Sequence, residues 1–223
     1  MVFSFSGSYQ KGRNEFEYFE FGTTIRVKAS GNVMFSIAPN YADYRSDLQW
    51  VGVTRDPLMT ATYGRRYLFS SIERKTFSAE LRLNWTFSPK LSLQLYLQPY
   101  IDVAAFSKFK ELAEPGTFDF NHYGGENAPV TPGDGYYIID PDGTGPADPF
   151  FLTNHDFNYA SLRGTFVFRW EFRPRSTLYF VWTQSREDIT TDRDFRFGRD
   201  FRRLFDVEGY NIFMMKFTYR FQL

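Results

Sequence analysis

Six arginines, Arg186, Arg193, Arg196, Arg199, Arg202 and Arg203, are interleaved with Phe195, Phe197, Phe201 and Phe205. A guanidinium binds phosphate or carboxylate in a two-pronged way and stacks on aromatic rings. That chemistry makes Arg193, Arg196, Arg199 and Arg202 candidate contacts for anionic sugars or lipid headgroups. Asp188, Asp192, Asp194, Asp200 and Asp206 lie in the same stretch. The plainer reading is therefore a structured loop that pairs its own charges, with a short helical turn at Asp200–Phe205.

Other reactive residue types are sparse. His122 and His155, with Glu126 and Asp156 nearby, could share a metal, but no spacing rule brings them together. Asp140-Pro141-Asp142-Gly143 and Asp148 match only part of a calcium loop, which needs further acidic positions and a closing Glu. They read as a turn. Gly124-Gly125 lacks the strand and helix that flank a phosphate-binding loop. The chain has no Cys, which excludes a disulfide framework, Cys-ligated zinc, an iron–sulfur cluster and a thiol nucleophile. With only two His, a Ser–His–Asp centre is not expected either. The expectation is a protein that is not an enzyme, with no metal and no cofactor.

The remaining charges follow a pattern with a period of two residues. In Leu91–Val103, one parity holds Leu91, Leu93, Leu95, Leu97, Ile101 and Val103; the other holds Ser92, Gln94, Tyr96, Gln98, Tyr100 and Asp102. Successive side chains of a strand point to opposite faces, so this segment has one apolar and one polar face. Phe77–Phe87, Leu162–Phe172 and Tyr210–Leu223 alternate in the same way, with Gly164 interrupting the apolar parity. Weaker alternation marks Val2–Tyr9, Phe19–Ala29, Val33–Tyr41 and Thr177–Ser185. The polar parity collects Arg26, Lys28, Glu80, Arg82, Asp102, Arg163, Arg169, Glu171, Lys216 and Arg220. These form either an interior network of paired charges, because lone buried ions are costly, or a lining for ions or substrate.

Connections between these strands alternate in length. Ser30-Gly31-Asn32, Ser88-Pro89-Lys90 and Arg173-Pro174-Arg175-Ser176 are tight-turn sequences. Gln10–Glu15, Ala42–Arg66, Ser107–Phe157 and Arg186–Gly209 are the longer links. Short turns at one end and long loops at the other are the mark of an outer-membrane barrel. The chain's 27 Phe, 15 Tyr and 4 Trp fit that class, with Trp85, Phe87, Trp170, Phe172 and Phe221 near strand ends as in an interfacial girdle.

Composition narrows the rest. Lys+Arg and Asp+Glu are 26 each, giving a net charge of zero, and a nucleic-acid binder needs a basic excess. The longest uncharged stretch, Ala29–Ala42, is too short for a spanning helix and contains Gly31 and Pro39. Spanning strands need only about ten alternating residues each. Met1–Gly7 has no basic start, long apolar run or cleavage site, so a processed or truncated form, or a chain that is not exported, is expected.

The sequence therefore predicts an all-β chain: one domain over 1–223, an eight-stranded antiparallel up-and-down transmembrane β-barrel with long extracellular loops, in a bacterial outer membrane. A soluble ligand-binding barrel with an aromatic cavity is the alternative, and it reverses every face.

Several runs also carry a family resemblance. Ala61-Thr62-Tyr63-Gly64-Arg65-Arg66-Tyr67, Leu83-Asn84-Trp85-Thr86-Phe87-Ser88-Pro89, Leu93-Gln94-Leu95-Tyr96, Gln98-Pro99 and Phe109-Lys110-Glu111-Leu112 are among them. So are Arg169-Trp170-Glu171-Phe172-Arg173-Pro174, Phe180-Val181-Trp182-Thr183-Gln184 and Gly198-Arg199-Asp200. Together they resemble the C-terminal, barrel-like part of the bacterial family termed domain of unknown function 5916. Its members usually begin with a module similar to family-9 carbohydrate-binding domains. The resemblance implies a barrel of unassigned role: a membrane anchor, a loop-display scaffold or a transport-associated protein, linked to glycan handling through that module. Outer-membrane lipid is the implied partner, with glycan or other outer-membrane proteins beside it. It leaves open whether the chain closes as eight strands or forms part of a larger pore-forming barrel.

Overall fold

The computed structural model describes residues 1–221 and is built on eight long strands. They are β1 (Val2–Lys11), β2 (Glu17–Ser30), β3 (Val33–Arg55), β4 (Arg65–Ser88), β5 (Leu91–Leu112), β10 (Phe157–Arg173), β11 (Ser176–Thr190) and β12 (Tyr210–Thr218). Four short strands lie between β5 and β10: β6 (Phe120–His122), β7 (Val130–Pro132), β8 (Tyr136–Ile139) and β9 (Phe150–Thr153). One helix, α1 (Phe197–Asp206), lies between β11 and β12. The long strands pair with their neighbours in the order β1-β2-β3-β4-β5-β10-β11-β12, and every pairing is antiparallel.

Alternation becomes two continuous faces because the registers agree. Val27, Phe35, Leu83, Leu95, Phe166, Trp182 and Phe213 face one another in sequence across seven strands. The row below it runs Val33, Trp85, Leu93, Phe168, Phe180 and Met215. The row above includes Phe3, Ile25, Ile37, Leu81 and Leu97. On the opposite face the matching row is Arg26, Ser36, Arg82, Tyr96, Thr165, Thr183 and Ile212. Pro99 faces Leu162, and the β4–β5 ladder resumes at Leu81–Leu97 in the register it had at Ser78–Tyr100. Proline removes a donor there without moving a side chain to the wrong face.

Gly164 breaks the apolar parity for a packing reason. A Cβ at that position would sit 2.8 Å from Leu97 Cδ2, so the Leu97 side chain occupies the space. The turns lie where Gly, Pro and Asn were found. In the β10–β11 turn, Arg175 takes a left-handed φ of 61° and donates its N–H to Glu171 Oε1 at 3.1 Å.

Two hydrophobic clusters sit at the long-loop end, one on each face. On the polar face, β7–β9 form a small antiparallel sheet. Its Ile139 and Leu152 pack with Val51, Leu68, Ile72, Ala104, Phe106, Phe109 and Tyr123. On the apolar face, Leu204 of α1 packs with Ile101, Val103 and Ala160, flanked by Leu162, Phe195 and Phe201.

The structure departs from the sequence expectation in three places. Ala42–Arg66 is mostly strand: β3 continues to Arg55 and β4 begins at Arg65. There the alternation is interrupted by bulges between Ser46 and Gln49 and between Trp50 and Gly52, which hides the period. The Ser107–Phe157 link holds a small sheet of its own. Third, the sheet is open: among the described residues, β1 pairs only with β2 and β12 only with β11. Both edge strands are exposed along their whole length. The expected C-terminal strand continues past Thr218 to Leu223, of which Gln222 and Leu223 lie outside the described residues.

Candidate functional site

The polar face carries most of the residues singled out in the sequence, and the open sheet leaves many of them in contact with solvent. Glu80 and Arg82, two residues apart on β4, pair at 3.1 Å, and the Arg82 guanidinium lies 4.8 Å from the centre of the Tyr96 ring. Arg169 and Glu171 pair at 3.4 Å on β10, and Arg169 Nε donates to the Tyr179 hydroxyl at 3.2 Å. Arg26, Lys28, Arg163 and Lys216 are exposed, and none has a carboxylate within 4.0 Å among the described residues. Arg220 lies beyond β12 with an exposed side chain; its backbone N–H donates to Ser176 Oγ at 3.1 Å.

Asp102 is the exception because it is buried. Its carboxylate accepts from both prongs of Arg74, at 2.8 and 2.6 Å, and from Thr76 at 3.0 Å. The partner, Arg74, is missed by a strand that starts at Phe77, although it extends the polar parity of Ser78 and Glu80 up the same strand.

Higher on this face is a cluster the sequence did not disclose. Arg66 and Glu111 are both buried and pair at 2.7 Å. Arg66 also reaches Asp56 at 2.6 Å. Glu111 accepts further bonds from the Tyr123 hydroxyl and, at 3.1 Å, from Asn121 Nδ2. The cluster ties four segments together: the β3–β4 connection, β4, β5 and the chain after β5. Burial and the bond to Glu111 push the Tyr123 phenol well above its ordinary range. Burial opposes the Arg66 charge, but its bonds to Glu111 and Asp56 raise its affinity for the proton. Burial alone would raise Asp56; the Leu58 backbone N–H and Arg66 outweigh it and hold the carboxyl low.

A polar cleft of about 340 Å³ opens beside the β1–β2 turn. Asp47, in the β3 bulge, accepts from Ser71 Oγ, and Lys108 lies 4.0 Å from Asp47 and 3.9 Å from Glu15. Lys108, Asn14 and Glu15 all have left-handed φ angles. The cleft lining mixes both charges and includes Phe16.

The arginine-rich stretch largely satisfies itself. Arg193 pairs with buried Asp156 at 3.3 Å and donates to Phe106 O at 2.7 Å. Arg199 pairs with Asp200 at 2.8 Å and Asp192 at 3.2 Å. Arg203 reaches Asp188 at 3.0 Å and Asn158 Oδ1 at 2.9 Å. Among the described residues, the Arg196 side chain pairs only with the exposed Asp194, at 3.0 Å. Arg202 donates to Gly198 O at 2.9 Å and meets no carboxylate among the described residues. Arg186 Nη1 donates to the carbonyls of Leu204, Phe205 and Val207 at 3.2, 3.3 and 3.5 Å, closing the C-terminal end of α1. The expected helical turn at Asp200–Phe205 is the centre of that helix. Its role beneath Arg186 was not legible, because nothing in the pattern shows that the stretch folds back onto the apolar face.

The two histidines do not meet in a ligand set: His155 Nε2 lies 3.2 Å from Val51 O, and His122 is exposed on β6. Among the described residues no group of three or more His, Cys, Asp or Glu is arranged to hold a metal ion. Asp140 Oδ1 accepts from the backbone N–H of Gly143 at 2.9 Å and Asp142 Oδ2 from that of Ala147 at 3.0 Å, so these acids hold a turn. Among the described residues no helix is long and apolar enough to cross a membrane.

What the arrangement offers is a wall: one face apolar and uncovered below α1, the other polar and rich in cations. No curated protein and no solved structure matches the chain. A family model does match, over residues 2–222, and the chain belongs to the family described as Domain of unknown function (DUF5916).

Proposed function

We propose that this chain is wall of a bacterial outer-membrane β-barrel, with its apolar face against lipid. The observation that carries the reading is the apolar row from Val27 to Phe213, which crosses seven strands without a charge and over which no other element packs among the described residues. Monomeric soluble proteins rarely leave so large a contiguous apolar surface in water. Phe35, Trp85, Trp170, Trp182 and Phe213 are all exposed on that face. In a soluble barrel with an aromatic cavity these side chains would be enclosed.

Within a bilayer every backbone group must be bonded, so the free edges of β1 and β12 need strand partners. Each other is one solution, giving the closed eight-stranded barrel; further strands of a wider wall are the other. The unpaired Arg26, Lys28, Arg163 and Lys216 favour the wider wall. Four lone cations in the packed interior of an eight-stranded cylinder would be costly, whereas a water-filled lumen solvates them. The role that follows is transport-associated, with the loops at the long-loop end as the surface displayed outside.

The native tryptophans provide the test. Trp85, Trp170 and Trp182 share the apolar face, so lipids brominated along the acyl chain should quench most of the fluorescence of the reconstituted protein. Emission left unquenched by brominated lipid, with free quenching by aqueous iodide, would refute the lipid-facing assignment.

A further inference from the structure

We infer that α1 is an interfacial helix that rests on the outer lipid boundary and contacts it through a ridge of Phe197, Phe201 and Phe205. This inference rests on the wall reading above and adds a second lipid contact, made by a loop. Its occupant is the headgroup–acyl boundary of the bilayer.

The first support is position. Leu91 faces Trp170, which faces Leu178, which faces Phe217, so this row marks the lower edge of the apolar face. Ile101, on the same strand and the same face, lies beneath α1. At about 3.3 Å per residue, the strand from Leu91 to Ile101 measures roughly 33 Å. Tilted at about 40°, it rises roughly 25 Å, the height of the apolar band of a membrane barrel. The helix is therefore seated where that band ends.

The second support is the ridge. Phe197 and Phe201 stack at 5.8 Å between centroids, and Phe201 meets Phe205 edge-on at 5.4 Å. Residues four apart share a side of a helix, so the three rings form one stripe. Phe197 also meets Phe77 of the sheet at 4.8 Å, which makes the stripe continuous with the apolar face. Yet Phe197 is 46% and Phe205 56% exposed. Phe201, partly buried against the cluster below, holds the stripe to the sheet, and the exposed rings on either side of it are the apolar side of a surface-lying helix.

The third support fixes the depth. On the sheet side of α1, Arg203 pairs with Asp188 and reaches Asn158, and Asp200 is fully buried. Charged groups at this level are costly in hydrocarbon and tolerable at the headgroups. The Arg186 bonds to the last carbonyls of α1 supply partners for backbone groups that an interface would otherwise leave short of water.

The chain contains no Cys, so single cysteines can carry a nitroxide without background. The full chain is reconstituted in phosphatidylcholine–phosphatidylglycerol vesicles with labels at Phe205→Cys, Leu95→Cys, Gln94→Cys and Phe118→Cys. Collisions with oxygen and with a water-soluble nickel chelate then report depth. The Leu95 label should read deep in lipid and the Phe118 label fully aqueous. The Phe205 label should read between them, within about 10 Å of the boundary. A Phe205 label as aqueous as that at Phe118, with Leu95 still deep, overturns the interfacial helix and spares the wall. A Phe205 label shielded from both reagents also overturns it, because a protein then covers the ridge. A Leu95 label in water removes the wall reading and this inference with it. Arg202→Cys leaves the ridge intact and replaces Phe205→Cys if that variant does not fold; its label is expected at the same shallow depth.

Discussion

Arg66 and Glu111 set the terms at the residue scale. Both are buried, and each is held by more than one partner. Removing one member of such a pair leaves the other charged and unsolvated, so Glu111→Ala should cost about 3–5 kcal/mol, read as a shift in the unfolding midpoint. Glu80→Gln breaks a pair whose side chains are 46–57% exposed, and its effect should stay below about 1 kcal/mol. The same cluster gives a pH dependence at both ends. Asp56 is held low in the folded chain, so its stabilisation is complete above the ordinary Asp pKa of about 3.9 and fades as pH falls below that. Tyr123 is pushed up, so its neutral form stabilises the fold below about pH 10 and that contribution is lost as pH rises further. Tyr123→Phe should flatten the alkaline arm and leave the acid arm in place, which unfolding curves across pH would show.

None of this cluster was legible beforehand, whereas Asp102 was. Asp102 sits in an unbroken alternation and its face can be counted from Leu91. Asp56 lies in the β3–β4 connection and Glu111 lies past the bulge at Lys108, whose φ is 50°; Arg66 keeps the parity of Arg74 on β4, but no count carries it to either partner. A single inserted residue reverses every later side chain, so no spacing rule joins Arg66 to Glu111 across the intervening strands.

At the scale of elements, the pattern was read well where the strand environment was uniform. The lower halves of β4 and β5 alternate cleanly because one face is apolar and one polar along their length, and β10 and β11 follow with Val167 and Val181 as the apolar exceptions on the polar face. Gly164 looked like a fault in that pattern; it is the place where Leu97 lies over the neighbouring strand. Gly164→Val should force Leu97 aside and destabilise the sheet by about 1–3 kcal/mol, with Leu97→Ala in the same chain restoring part of the loss. The helix was half-visible, as a turn at Asp200–Phe205. Its anchor is Arg186, whose guanidinium closes the last turn. Arg186→Ala should release α1 at a cost of about 1–2 kcal/mol, and hydrogen exchange should speed up at Leu204–Val207 while the ladder between β4 and β5 keeps its protection.

For the whole molecule, the sequence disclosed the number and order of the long strands but not whether the sheet closes. Closure depends on how eight local twists add up and on which backbone groups meet at the edges, and side-chain periodicity encodes neither. On the polar face, across the rows level with Leu91–Gln98, Arg26, Lys28, Arg82, Arg163, Arg169 and Lys216 stand against Glu80 and Glu171. A lumen lined this way should prefer anions. Under a salt gradient across a planar bilayer, the reversal potential should take the anion-selective sign, and Arg163→Glu with Lys28→Glu should reduce it. Cation preference in the unaltered protein would contradict that lining.

The assignment of faces is tested most directly by placing the same charge on either side of one strand. Leu95 and Gln94 are adjacent on β5 and point to opposite faces of the sheet. Folding into bilayers is followed by heat-dependent gel migration, and stability by urea titration. Leu95→Arg should lose about 2–4 kcal/mol or fail to assemble, as expected for Arg at lipid mid-depth. Gln94→Arg should fold with a change of less than about 1 kcal/mol. Equal tolerance at the two positions, or greater damage from Gln94→Arg, would contradict a sheet whose apolar face meets lipid.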